Sequence, residues 1–432
     1  MQQHRKVIAL VMAAGLIGFT ACSDESDPLQ PPPPIEPAFA ILSGTITQTR
    51  TLHPDTVYTI TGITTVDDGA TLSIPAGTLL LGNADVAPSA LIVRQGGKLI
   101  AQGTADAPIV FTSSRPAGQR QRGDWGGVVL NGRSYCNFPA SECVGEGTSG
   151  SYGGDQPADD SGALRYVRIE FAGYEVSFGN ELNALTLNGV GSGTEIEFVQ
   201  VHYGSDDGIE WFGGTVDVKY ALATGISDDS FDFSTGWQGR GQFWIAQQDP
   251  NDADAGWEVD NNEDNYDATP RVDPQVYNVT LIGKGANGVG GTAGESTNGI
   301  LYRRGAAGDI ANVIITGFGT SGLDIDNDET YAQCASGALQ FRGVILWSNA
   351  NAFSTDGDDE AACSFDIRQA DPQLANPFDR ANPDFRPAAG SAATQNAIAI
   401  PGEAFFTAVD YIGAVAPGGA EWYKGWTTFA AN

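Results

Sequence analysis

Asp206-Asp207-Gly208-Ile209-Glu210-Trp211-Phe212 recurs 22 positions later as Asp228-Asp229-Ser230-Phe231-Asp232-Phe233-Ser234. The same offset carries Ile196 onto Val218 and Phe198 onto Tyr220, and Gly299-Ile300-Leu301 returns as Gly322-Leu323-Asp324 after 23. VTLIG (279–283) and VIITG (313–317) repeat with a longer loop between them. No segment shows a long helical period. Instead, short β-rich runs such as YTITGITTV, LRYVRIEFAG and TVDVKYALATG alternate with Gly, Asn and Asp. A period near 22 with strand residues and no helix predicts one turn of a three-faced parallel β-helix, in which each coil buries its apolar residues only against its neighbours. Propeller blades need about 40–50 residues, and two β-sandwiches would not repeat a motif at this spacing.

The rest of the chain fits one elongated domain. It has 432 residues, 56 Gly and 22 Pro, and a net charge of −31 from 53 acids against 22 bases. That field opposes phosphate contacts, so nucleic acid is excluded as a partner. Only three histidines are present, His4, His53 and His202, which lowers the expectation of His-ligated zinc or a His-based triad.

The N-terminus reads as an address. His4, Arg5 and Lys6 precede an apolar run from Val7 to Ala21, too short to span a bilayer comfortably. Phe19-Thr20-Ala21-Cys22 resembles the bacterial lipoprotein signal, with Phe19 in place of the usual Leu. The resemblance implies cleavage before Cys22 and lipidation of that residue, and Ser23 after it favours the outer membrane, at its surface or periplasmic face. The expected division is a signal peptide over 1–21, a lipidated Pro-rich acidic linker over 22–40, the β-helix over 41–370 and an irregular C-terminal cap over 371–432. No run after position 21 is long and apolar enough for a membrane helix, which argues against a transporter.

Four cysteines remain, Cys136, Cys143, Cys334 and Cys363. In an exported chain they imply two disulfides, and of three connectivities Cys136–Cys143 with Cys334–Cys363 is favoured because each closes a local loop. A metal site from all four thiolates would lack any CxxC spacing.

GATLSIPAGTLLLG, GGKLIAQGTADAPIVFTSS, GDWGGVVLNG, LRYVRIEFAG, ISDDSFDFSTGWQGRGQFW and the terminal YIGAVAPGGAEWYKGWTTF resemble a family of bacterial surface lipoproteins. The resemblance implies a right-handed, pectate-lyase-like β-helix, and it implies no particular activity, since many members have none assigned.

The repeat stacks acids on acids. Glu210 is expected under Asp232, Asp206 under Asp228 and Asp207 under Asp229, with coils about 4.8 Å apart. Three outcomes are physically available: a hard cation such as Ca²⁺ binds, one carboxyl keeps its proton as a general acid does, or the side chains splay into water. A catalytic use would resemble the acid pairs of pectin-cleaving glycosidases on this fold, with Asp206, Asp207, Asp228, Asp229 and Asp232 as candidates. The chain lacks the Gly-His-Gly and Arg-Ile-Lys segments of those enzymes, and His202 precedes the pair. A lyase would need Ca²⁺ and a base, for which Arg240, Arg303 and Arg304 are candidates.

Two further runs suggest cation loops, Asp252-x-Asp254-x-Gly256 and Asp324-x-Asp326-x-Asp328-Glu329. Trp211, Phe212, Trp237, Phe243 and Trp244, with the amides Gln238, Gln242, Gln247 and Gln248, suggest a carbohydrate platform in which Glu210, Trp211, Trp237, Arg240 and Trp244 contact ligand. The leading expectation is a lipid-anchored surface module that binds a glycan or a protein partner and is rigidified by Ca²⁺. The alternative is a polysaccharide hydrolase or lyase using the Asp206–Asp232 face.

Overall fold

The computed structural model describes residues 37–355 and 363–432. The expected signal peptide, Cys22 and nearly all of the expected linker lie outside the described residues. Among those described, 25 strands join in one sheet whose pairings are all parallel. The chain winds as a right-handed, three-faced β-helix, the sense that parallel crossovers take. The first strand, Ala38–Ile46, starts inside the segment expected to be linker.

The repeats are registers. Glu210 pairs with Asp232 and Ile196 with Val218, while Ile300 pairs with Leu323 and Val279 with Val313. Two of the three faces come from single long strands that bend once. In Gly162–Glu170, Glu195–His202, Asp217–Thr224, Arg240–Gln247, Gln275–Ile282 and Gly308–Thr316, the bend falls on Tyr166, Phe198, Tyr220, Phe243, Asn278 and Asn312. All six are left-handed, with φ between 49° and 60°. This conformation costs a non-Gly residue about 1–2 kcal/mol. Stacking offsets it: Tyr166, Phe198, Tyr220 and Phe243 form a column with centroid spacings of 4.5, 4.3 and 5.0 Å. At Asn278 and Asn312 the side chain is of the type that tolerates this region.

The core is unusually aromatic in the coils of the acid repeat. Trp211, Phe231, Phe233, Trp237, Trp244 and Trp257 are fully buried, and Trp211 stacks on Trp244 at 5.2 Å. Period-two alternation sends 209 and 211 inward when 210 faces out. Each such ring contributes roughly 1.5–3 kcal/mol by leaving water, which offsets strain on the outer face.

Both disulfides form as favoured, Cys136–Cys143 and Cys334–Cys363. The segment from 371 onward, expected to cover an open end, instead runs along the flank. Buried side-chain amides grip its backbone in reciprocal pairs. Gln242 donates to Thr407 O at 2.8 Å and accepts from Thr407 N at 2.8 Å. Gln200 does the same with Thr428, and Asn312 with Ile398. Trp426 meets the aromatic column edge-on at Tyr166 and Phe198. The strap therefore closes the hydrogen bonds and apolar surface left exposed by the bends.

Candidate functional site

On the third face, the strands Leu185–Asn188, Ile209–Phe212, Phe231–Ser234 and Trp257–Asp260 stack in register. Their outward column reads Thr186, Glu210, Asp232, Glu258. Just before these strands a second ladder climbs through backbone amides. Asp207 N donates to Asn183 Oδ1 (3.2 Å), Asp229 N to Asp207 Oδ1 (3.0 Å) and Ala255 N to Asp229 Oδ1 (2.6 Å). These bonds hold Asp207 and Asp229 beside the outward column, and Asn183 Nδ2 donates to Glu210.

Carboxylate oxygens consequently converge in four groups, each within 4.8 Å: Asp206, Asp207 and Asp228; Asp207, Glu210 and Asp232; Asp228, Asp229 and Asp254; and Asp229, Asp232 and Glu258. The sequence repeat had located six of these eight acids. Asp254 and Glu258 were missed as members because four extra residues shift their coil to an offset of 26. The signal was present, since Gly256-Trp257-Glu258 echoes Gly208-Ile209-Glu210.

A loop roofs this face. The chain between Gly132 and Gly154 crosses the coils, pinched by Cys136–Cys143. Asn137 Nδ2 donates to Asn261 O (3.0 Å) and Pro270 O (3.1 Å), and Asn131 Nδ2 donates to Ser149 O (2.8 Å). The roof lies so close at Gly213 (φ 72°) that a Cβ there would stand 2.3 Å from Tyr135 O. Beneath it is a cavity of about 390 Å³ lined by the acids Glu142, Glu146, Glu210, Asp232, Glu258, Asp260 and Glu263, with Phe138, Tyr152 and Phe212 as apolar walls. Nothing in the sequence linked the roof to the ladder, because the two are joined only by tertiary contact.

Electrostatically the floor is under-compensated. Arg303 pairs with Glu258 and with Asp260 (2.7 Å), and Arg304 pairs with Asp260 (2.6 Å). No ion pair reaches Asp206, Asp207, Glu210, Asp228 or Asp229 among the described residues. Burial first, then the Asp228 charge, push Asp206 up to about 8. Burial followed by neighbouring charge holds Asp228 at about 6 and Glu146 at about 7, and burial offset in part by Arg303 leaves Glu258 at about 7. Asp207, Glu210, Asp229 and Asp232 are all raised well above the usual carboxylate range, chiefly by burial. Asp232 Oδ1 and Thr186 Oγ1 are buried with no hydrogen-bond partner. Orphaned oxygens among crowded carboxylates are the donor set of a hard divalent cation, so the residues fit one.

The other expected site residues fall elsewhere. Trp211, Trp237 and Trp244 lie in the core with no exposed surface, so they form no platform; Phe212 alone of that set faces the cavity. Gln242 and Gln247 hold the C-terminal strap. Arg240 sits on another face, paired with Asp217 (2.5 Å) and Glu403 (2.7 Å). Asp252 is bound to Arg122 at 3.0 Å, away from the cluster that takes Asp254. The acids of the run at 324–329 join none of the carboxylate groups among the described residues. Asp324 accepts from Asn298 Nδ2, Asp326 from Asn327 N, and Asp328 opens the helix Asp328–Ser336, where acids favour the N-terminal dipole.

A parallel solenoid with a roofed acidic cavity on one lateral face fits either a structural or binding module or a polysaccharide-lyase-like fold. The chain matches the pectate-lyase-like β-helix domain over residues 44–427, and it belongs to that family. No curated protein matches the chain. No helix among the described residues is long and apolar enough to cross a membrane.

Proposed function

We propose that this protein is a surface module, anchored at the outer membrane by lipid on Cys22, that loads divalent cations on its acid ladder and binds a glycan in the roofed cavity. The observation that carries the reading is the convergence of eight carboxylates in four overlapping groups, without compensating bases at most of them. A cation there removes the like-charge cost and rigidifies neighbouring coils. Ca²⁺ suits the all-oxygen donor set, whose four groups hold only Asp and Glu among the described residues. The cavity then supplies what a sugar needs, three aromatic side chains beside hydrogen-bonding groups.

Glycan-array binding by the purified protein, with and without chelator, tests the proposal. Binding that chelator abolishes, with no product released, is the expected result. Binding that chelator leaves intact removes the cation from the account.

One observation favours hydrolysis as a second reading: Glu142 and Glu146 face the cavity from the roof and Glu210, Asp232 and Glu258 from the floor. Carboxyls on opposite sides of a ligand are the arrangement a glycosidase uses. Release of reducing ends from a bound glycan, lost in Asp232→Asn, would establish that reading in place of the binding module.

A further inference from the structure

The charge and shape of the cavity restrict what it takes, provided that it is the ligand site proposed above. Seven acids line it, and the one guanidinium at its edge, Arg304, is already paired with one of them, Asp260. An anionic sugar would enter against that field, and a neutral one would leave it uncompensated. A volume of about 390 Å³ greatly exceeds a bare ion, since one water's share of liquid is about 30 Å³.

The walls add chemistry a metal does not use. Tyr152 and Phe212 stand 6.5 Å apart, tilted at 51°, with Phe138 completing the apolar side. Such faces receive either the C–H face of a ring or an ammonium group. Asp232 and Ser234 also line the cavity, and their Oδ1 and Oγ are buried atoms without hydrogen-bond partners. Beneath Glu210 in the same column, Thr186 is 2% exposed and its Oγ1 is also unpartnered.

The ladder separates into two zones. Asp206, Asp207, Asp228, Asp229 and Asp254, which build two of the four carboxylate groups, do not line the cavity. Inorganic cations there leave Glu210, Asp232 and Glu258 to face the ligand. We propose that the cavity binds an amino sugar, a hydroxylated ring whose primary ammonium is received by Glu210 and Asp232 while its apolar face rests on Phe212 and Tyr152.

Calorimetric titration in calcium compares the β-1,4-linked glucosamine dimer, its N-acetylated counterpart, a galacturonate dimer and spermidine. The free amine is expected to bind about ten-fold or more tightly than the acetylated dimer, the value of one charge-assisted hydrogen bond. Asp232→Asn and Glu210→Gln should each weaken it by about ten-fold with no fall in melting temperature, whereas Glu197→Gln, on another face, should leave it unchanged. Equal or tighter binding of the acetylated or galacturonate dimer overturns the proposal, as does spermidine binding as tightly as the sugar. If no probe binds while calcium still raises the melting temperature, the amino-sugar assignment fails and the cation-loaded module survives; if calcium also has no effect, both fail.

Discussion

Glu210 and Asp232 are register partners on adjacent coils, with carboxylate oxygens within 4.8 Å, and Arg303, the guanidinium whose charge acts on Asp232, is committed to Glu258 and Asp260. A parallel β-helix repeats any outward residue at the coil spacing, so an acid in the repeat becomes a column of acids. The aromatic interior directly beneath offsets the cost of that column, and a ligand on the outside removes it.

Calcium should therefore stabilise the fold. At a hundredfold excess over Kd, one site contributes about 2.7 kcal/mol, and several sites more. Differential scanning calorimetry with calcium and with chelator checks this; superimposable melts would exclude a structural cation.

The pH response without metal has an unusual sign. Asp228, Glu258 and Asp206 are raised to about 6, 7 and 8, while in the unfolded chain such groups release their protons near 4. Between about pH 4 and 8 the folded state therefore holds more protons, and stability falls as pH rises. In chelator the melting temperature should decline across that window, and calcium should flatten the decline. A melting temperature that climbs from pH 4 to 8 in chelator would contradict the burial of this cluster.

Asp232→Asn separates charge from shape. Removing a like charge from the column should stabilise the metal-free protein by up to about 1 kcal/mol. The calcium-induced rise in melting temperature should persist in this variant, because the two carboxylate groups left to inorganic cations do not include Asp232. Two melts per protein suffice, and a destabilised metal-free variant would mean that the carboxylate is compensated after all.

The C-terminal strap makes an independent prediction. Trp426 is 1% exposed and meets Tyr166 and Phe198 edge-on at 5.6 and 6.2 Å. Trp426→Ala should cost about 3–5 kcal/mol. Hydrogen exchange should then rise first at the bends, from Tyr166 to Phe243, and uniform exchange along the coils would argue against a strap.

The periodic part of this protein was legible in its sequence. A repeat of 22 sets the coil, and β-pairing converts that interval into a neighbour relation without further information, which brings Asp206, Asp207, Glu210, Asp228, Asp229 and Asp232 together. Local loop closure also indicated both disulfides. Inside and outside were harder to read, because Trp211 fills the core or forms a platform according to which way a single residue of alternation points. Only the tertiary structure placed Glu146, Tyr152 and Phe138 over the ladder and laid Thr407 and Thr428 along Gln242 and Gln200. Those contacts join segments with no common period; they depend on where long loops land on a finished solenoid, and nothing in a local pattern specifies that.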